Sequence, residues 1–444
     1  MKVKLILLGI IILAASLRLS AVWYMEFKGD EATISFIASD FVHKGIFPLV
    51  GDRSSQGMYN PAMFIYLLSI PFMFSNNPVI AVSYIALLNI FAVYLCFLFC
   101  SHFLNKRVAL IASAFFAVNP WVILYSHKIW ANNLLVLFVL VFFYSLFKVI
   151  FTHKYRYFFL SLLALAILTQ LHFSAIFLGI VLVLTIFIFQ LRIKIRDYIA
   201  AIGVFIILYI PYILFDLKNN FYNLNAFLKF SSLPFKMRWD AFSAPFQLAT
   251  ADGFESSLGA SFSEFSKIIP NISVFNKLSA ALIMIAVVYL TVNIFREKKY
   301  IILLLWFLVP PLFIVFSKNY FGRAAFISIF PVQFICVAVF CDFAITKLEK
   351  HKPLKWVFCC IIAALFTCQF IFSQGFNKFI KTKKCIYGDY GPPFKYHVEA
   401  VKDAIKNGSY DIEGIWQEVA KDKRCFKNDF IATKYIFENI KGIR

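Results

Sequence analysis

The sequence lacks the spacing that a structural zinc site needs: none of its nine cysteines forms a Cys-x-x-Cys pair, which excludes a zinc ribbon. Acids are scarce as well, with 23 Asp and Glu against 44 Lys and Arg. The net charge of +21 would suit nucleic acid if the bases shared one exposed face. Most of them lie instead in short clusters between apolar runs, so membrane topology explains them and nucleic acid is set aside as a partner. No small-residue cleavage site precedes Trp23-Tyr24, so the apolar run 5–17 behind Lys2 and Lys4 is expected to stay as an anchor with its basic end in the cytoplasm. No internal repeat stands out, which weighs against a transporter made of two repeated halves.

What is there is grease. Hydrophobic residues make up 61% of the chain and aromatics 19%, with a mean hydropathy of +0.78, well above the roughly 45–50% apolar content of soluble domains. The expected class is an all-α polytopic membrane protein with about 11 transmembrane helices. Crossings are expected at 78–104, at 108–151 (two, broken at the polar turn Ser126-His127-Lys128), at 198–215, 277–295, 301–316, 324–345 and 356–373. The run 157–191 reads either as one tilted helix or as two short ones meeting near Gln170-Leu171-His172. This parity puts Lys106-Arg107, Lys154, Arg156, Arg296, Lys298, Lys299 and Lys347 to Lys355 inside, and Lys128, Lys318 and Arg323 in short outer turns. Residues 1–374 then form the membrane domain, with a first outer loop at 24–77 and a long one at 216–276, and 375–444 form a small extracytoplasmic C-terminal domain. The Lys, Ile and Phe bias points to an AT-rich bacterial genome and an inner membrane. Seven cysteines, at 96, 100, 336, 341, 359, 360 and 368, sit in or against apolar segments as small packing residues. Cys385 and Cys425 lie in polar sequence and are expected to be free to pair if the tail faces an oxidising compartment.

Candidate chemistry centres on Gly29-Asp30-Glu31, which opens a helical run to His43 with Ile34, Ile37, Ala38 and Phe41 at helical spacing. Two adjacent carboxylates beside a bilayer are unfavourable unless they face water, a cation or a substrate. The plain competitor makes Asp30 an N-cap and Glu31 a partner of the helix dipole. Arg18 either snorkels to the interface or pairs with these acids. An irregular stretch at 45–60 carries Pro48, Gly51, Asp52, Arg53 and Gly57, and the apolar run 61–74 with Pro71 suits a second surface helix better than a span. Asp30, Glu31, Asp40 and His43 could offer a divalent metal oxygen and nitrogen ligands, yet no tight zinc spacing exists, and no cofactor is expected. His172 reads as a satisfied polar residue at a helix break ahead of a ligand.

Arg18 in the first helix, Gly29-Asp30-Glu31 in the first outer loop, Tyr59-Asn60-Pro61 opening the second surface helix, and Asn119-Pro120-Trp121 leading to Ser126-His127-Lys128-Ile129-Trp130 together resemble the GT-C superfamily of membrane glycosyltransferases. The resemblance is to the branch of protein O-mannosyltransferases and aminoarabinose lipid A transferases. It implies a GT-C fold and transfer of a sugar, with inversion, from a polyprenyl-phosphate donor to an acceptor hydroxyl of a protein, lipid or glycan on the outer face. Asp30 would be the general base and Glu31 the adjacent acid. A cation must meet the leaving phosphate, and Lys128 and Arg323, with Arg53 and His127 behind them, are the candidates. Arg18, Tyr59 and His172 would support the site. The β-trefoil insert of eukaryotic relatives is not recognisable in the long loop. The alternative function is a transporter or flippase for a lipid-linked saccharide.

Overall fold

Long apolar runs must satisfy every backbone polar group internally, which makes them helices. A computed structural model describes residues 1–54, 56–232, 237–316, 322–420 and 429–440. It opens with α1 (Lys2–Leu19), the loop-face helices α2 (Gly29–Lys44) and α3 (Met63–Phe72), and then α4 (Pro78–Phe103), α5 (Lys106–Val118), α6 (Pro120–Ser126), α7 (Leu135–Thr152), α8 (Arg156–Leu171), α9 (Ile176–Ile188) and α10 (Ile195–Lys218). The long loop holds α11 (Tyr222–Ser231), α12 (Ala244–Ala249), α13 (Glu255–Leu258) and α14 (Phe262–Phe265). The bundle closes with α15 (Ser273–Val292), α16 (Lys299–Val315), α17 (Val332–Lys347) and α18 (Lys352–Thr382), followed by the tail helices α19 (Phe394–Lys406), α20 (Ile412–Val419) and α21 (Phe430–Asn439).

Helix α7 packs between α8 and α4, while α5 packs against α4, α17 and α1. Around this core, α10 buries Ala201 alone and exposes Ile195, Ile199, Ile202, Ile206 and Ile207, a surface suited to lipid rather than water. The chain is a multi-pass membrane protein. Among the described residues six helices are long and apolar enough to cross a bilayer, or eight if the bent pairs α5–α6 and the 3₁₀ turn Arg323–Ile329 with α17 each count as one. Helices α8, α9 and α16 fall in the 10–17 residue range, so length alone does not secure the expected 11 crossings.

The bend of 58° between α5 and α6 has a local cause. Pro120 has no N–H to offer the carbonyl of Phe116, and the helix breaks. Asn119 restarts it, its Oδ1 accepting from the Val122 N–H at 3.1 Å. The freed carbonyls find side chains: Arg18 Nη2 donates to Phe116 O at 3.2 Å and Nη1 to Ala117 O at 2.7 Å, and Ser373 Oγ donates to Val118 O at 2.8 Å.

Three features go beyond the expected layout. The irregular stretch at 45–60 contains a two-stranded antiparallel hairpin, β1 (Val50–Arg53) and β2 (Tyr59–Pro61). The division at 374/375 falls inside α18, which runs on to Thr382 because Phe376, Phe379 and Ile380 keep one face buried. The tail is docked on the first loop. Tyr390 Oη donates to Tyr24 O at 2.6 Å, the Phe394 N–H to Met25 O at 3.0 Å and Tyr435 Oη to Asn76 O at 2.8 Å. Cys385 is disulfide-bonded; Cys425, its expected partner, lies outside the described residues, as does Lys318. The cysteines in or against apolar segments are free thiols.

Candidate active site

The first loop, the turn at Lys128 and the start of the tail meet on one face. The Glu26 N–H donates to His127 O at 3.2 Å, so the chain before α2 runs beside that turn as a parallel bridge. Lys28 Nζ reaches the carbonyl of Asp389. At the junction four charges form a box. Lys128 Nζ lies 2.7 Å from Glu26 Oε1 and 3.1 Å from Glu31 Oε1, and Lys28 Nζ lies 2.9 Å from Glu26 Oε1.

Both glutamates are buried. Burial pushes the Glu26 carboxyl up, against the pull of Lys128 and then Lys28. Burial also works against the Lys128 ammonium, but Glu26 and then Glu31 outweigh it and hold Lys128 above the ordinary lysine value. The lysine therefore stays charged. Lys128 also lies 5.0 Å from the ring centroid of Trp130.

The two acids of the Asp-Glu pair have different surroundings. Glu31 Oε2 accepts from the Lys28 N–H at 2.9 Å, which makes Glu31 the residue that closes the first turn of α2. Asp30 is exposed and makes no hydrogen bond or ion pair among the described residues. It is not the N-cap; Lys28 holds that position. Across from it, half-buried Asp52 on β1 accepts from Asn60 Nδ2 at 3.0 Å. Burial raises the Asp52 carboxyl, and the charges of Asp30 and Glu31 raise it further while Asn60 lowers it. Asp429 at the start of α21 faces Lys28, Glu31 and Glu26 and is raised to about 7, chiefly by burial.

A cavity of about 640 Å³ opens between the hairpin, α8, α10 and α11. Tyr59, Asn60 and Pro61 form one wall and Trp130 another, while Leu224, Phe227 and Phe230 give an apolar side. Thr169, Gln170 and His172 supply polar groups at the α8–α9 break. His172 Nδ1 lies 2.7 Å from Ser174 Oγ, and the Tyr59 N–H donates to Asn223 Oδ1 at 2.7 Å, which ties the hairpin to α11.

The remaining expected site residues divide. Arg323 Nε donates to Gln247 Oε1 at 3.0 Å and Nη1 to Ser256 Oγ at 2.6 Å, with its guanidinium 5.1 Å from the Trp121 ring centroid. Its neighbours Gly322 and Ala324 line the cavity. Exposed Arg53 donates from Nε to Gly57 O at 3.2 Å and lies 5.7 Å from the Tyr222 ring, with Ser54 and Gln56 beside it on the cavity wall. His127 is fully buried: Nε2 lies 2.9 Å from Arg18 O, and its ring stacks on Phe376. Burial lowers its pKa to about 4. Arg18 does not pair with the acids either, because its fork is consumed by the carbonyls at the α5–α6 break. Of the proposed metal set, Asp40 pairs with Lys44 at 2.8 Å and His43 Nε2 lies 3.1 Å from Asn76 Oδ1. Among the described residues no three His, Cys, Asp or Glu side chains are placed to hold an ion.

Glu26, Lys28 and Asp52 were not expected at the site. The alternation Glu26-Phe27-Lys28 immediately before Gly29 is the one signal that could have marked the first two.

No family model and no curated protein matches the sequence. Solved structures do. The chain is similar to ArnT from Cupriavidus metallidurans bound to undecaprenyl phosphate, at 11% identity and a TM-score of 0.58, covering 97% of this chain and 77% of that one. It is also similar to the Archaeoglobus fulgidus oligosaccharyltransferase in its apo form, at 12% identity and a TM-score of 0.53, covering 94% of this chain but 59% of that one. The chain thus spans about three fifths of the archaeal enzyme's length. A third match, the same archaeal protein tethered to an acceptor peptide with an NVT sequon, has a TM-score of 0.54. The chain shares the GT-C fold of these solved structures.

Proposed function

We propose that the protein is a glycosyltransferase that moves a sugar, with inversion, from a polyprenyl-phosphate donor to an acceptor hydroxyl on the extracytoplasmic face of a bacterial inner membrane. The N-terminus is then cytoplasmic and the tail outside. The observation that carries this reading is the division of labour in the Asp-Glu pair: Glu31 is engaged by the Lys28 amide and Lys128, while Asp30 is exposed and makes no hydrogen bond or ion pair among the described residues.

In this reaction the acceptor O–H gives its proton to the Asp30 carboxylate as its oxygen attacks the anomeric carbon. The bond from that carbon to the phosphate oxygen breaks, and polyprenyl phosphate leaves with the electron pair. Arg53 and Arg323, which flank the cavity, meet the growing negative charge. Lys128 serves by holding Glu31, and thereby the first turn of α2 that presents Asp30. Tyr59 and His172 line the space for the carrier lipid and headgroup. The test is reconstitution with a panel of radiolabelled polyprenyl-phosphate sugars and candidate acceptors. Label transferred from at least one donor is expected; a protein that moves unreacted donor across the bilayer and transfers nothing would be the flippase instead.

A further inference from the structure

We propose that Asp52 binds hydroxyl groups of the sugar being transferred and thereby selects the donor, an inference that rests on the transferase reading above. The hairpin fixes the residue in place. β1 and β2 approach so closely at Gly51 that an added Cβ would lie 3.2 Å from Pro61 O, and the ladder carries an irregularity between Val50 and Arg53, where Asp52 sits. Asn60 Nδ2 donates to Asp52 Oδ1 at 3.0 Å. Apart from Asn60 and its own backbone amide, no donor among the described residues meets this carboxyl.

The position relates two parts of the site. Asn60, the anchor of Asp52, belongs to the wall of the 640 Å³ cavity with Tyr59 and Pro61. On the other side, Asp30 and Glu31 are close enough for their charges to raise the proton affinity of Asp52. Through Asn60 the carboxyl is tied to the cavity wall, within reach of a sugar bound at that rim. A carboxylate accepts hydrogen bonds and donates none, and a sugar presents several O–H donors. Charge-assisted bonds of this kind are strong enough to discriminate between donors.

The test compares wild type, Asp52→Asn and Asp52→Glu on a set of polyprenyl-phosphate sugars that includes singly deoxygenated analogues, with melting temperature measured alongside. The Asn variant is expected to raise the donor KM about 10- to 100-fold, as loss of a hydrogen bond to a charged group would. It should also lose the wild-type preference for the hydroxylated donor over one deoxy analogue. If Asp52→Asn fails to fold, Asp52→Glu carries the test by a changed order of donor preference. Unchanged preference in a folded variant, or an equal loss on every donor with KM unaltered, overturns the inference while leaving the transferase reading intact. Absence of transfer by wild type from every donor overturns both.

Discussion

Glu26 and Lys128 stand 102 residues apart in the chain and 2.7 Å apart in space. Their pairing joins the segment before α2 to the turn after α6, and the same ammonium reaches Glu31 one turn into α2. The orientation of the exposed Asp30 thus depends on a buried cation from a distant part of the chain.

Replacing that cation should therefore loosen the whole face. In Lys128→Met two buried carboxylates lose a partner, and Glu31 keeps only the Lys28 amide. Removing one member of a buried ion pair destabilises by about 3–5 kcal/mol, so a marked fall in melting temperature in detergent is expected, with a smaller fall for Lys128→Arg. A melting temperature equal to wild type would show that the box contributes nothing to the fold.

Arg18→Leu is expected to destabilise through a different route, by orphaning the carbonyls of Phe116 and Ala117. Each unsatisfied buried group costs about 1–3 kcal/mol. Thermal unfolding and protease resistance near Pro120 check it. Transfer activity lost without any loss of stability would instead place Arg18 in the chemistry.

Arg53→Gln and Arg323→Gln should each raise the donor KM about tenfold or more, as charge-assisted phosphate contacts are lost. Arg323→Lys should recover part of that loss, since it keeps the charge but not the fork that reaches Gln247 and Ser256. Steady-state kinetics with varied donor separate the two arginines; an unchanged donor KM removes either from phosphate binding.

Docking of the tail should weaken as pH rises. Asp429 titrates near 7 when docked and near 3.8 in its ordinary state. Below about 4 both states hold the proton and pH has no effect. Between about 4 and 7 the released tail ionises first, so docking loses stability, and above about 7 the full penalty is present. The protection factor of the α21 amides, the exchange rate corrected for its intrinsic base-catalysed dependence on pH, should accordingly be lower at pH 8 than at pH 6 in wild type and the same at both in Asp429→Asn. Equal protection factors in wild type at the two pH values count against a buried, protonated Asp429.

The proposed Cys385–Cys425 bridge gives a thiol count. Denatured protein should label at seven cysteines without reductant and at all nine with it. Nine labelled cysteines without reductant would exclude the bridge.

Most of the helical order was legible because each long apolar run has a single way to satisfy its backbone. Asp30 and Glu31 were legible for the complementary reason, that paired acids in such a chain demand an explanation. What else holds Glu31 was not, since the ion pair from Lys128 comes from a distant part of the chain. Strands of four and three residues are too short to display alternation, so Asp52 was hidden in a stretch that read as irregular. His127 looked like part of a polar turn, yet its ring faces inward to Arg18 O. The amphipathic faces of the tail gave no indication of which surface they cover.

Asp30→Asn removes a carboxylate that makes no hydrogen bond or ion pair among the described residues, so it should leave the fold and donor binding intact while removing the proton acceptor. In single-turnover transfer from a bound radiolabelled donor, the rate is expected to fall about 10²- to 10⁴-fold, with donor affinity and melting temperature as in wild type. Transfer at the wild-type rate by a folded Asp30→Asn protein would contradict the assignment of Asp30 as the base.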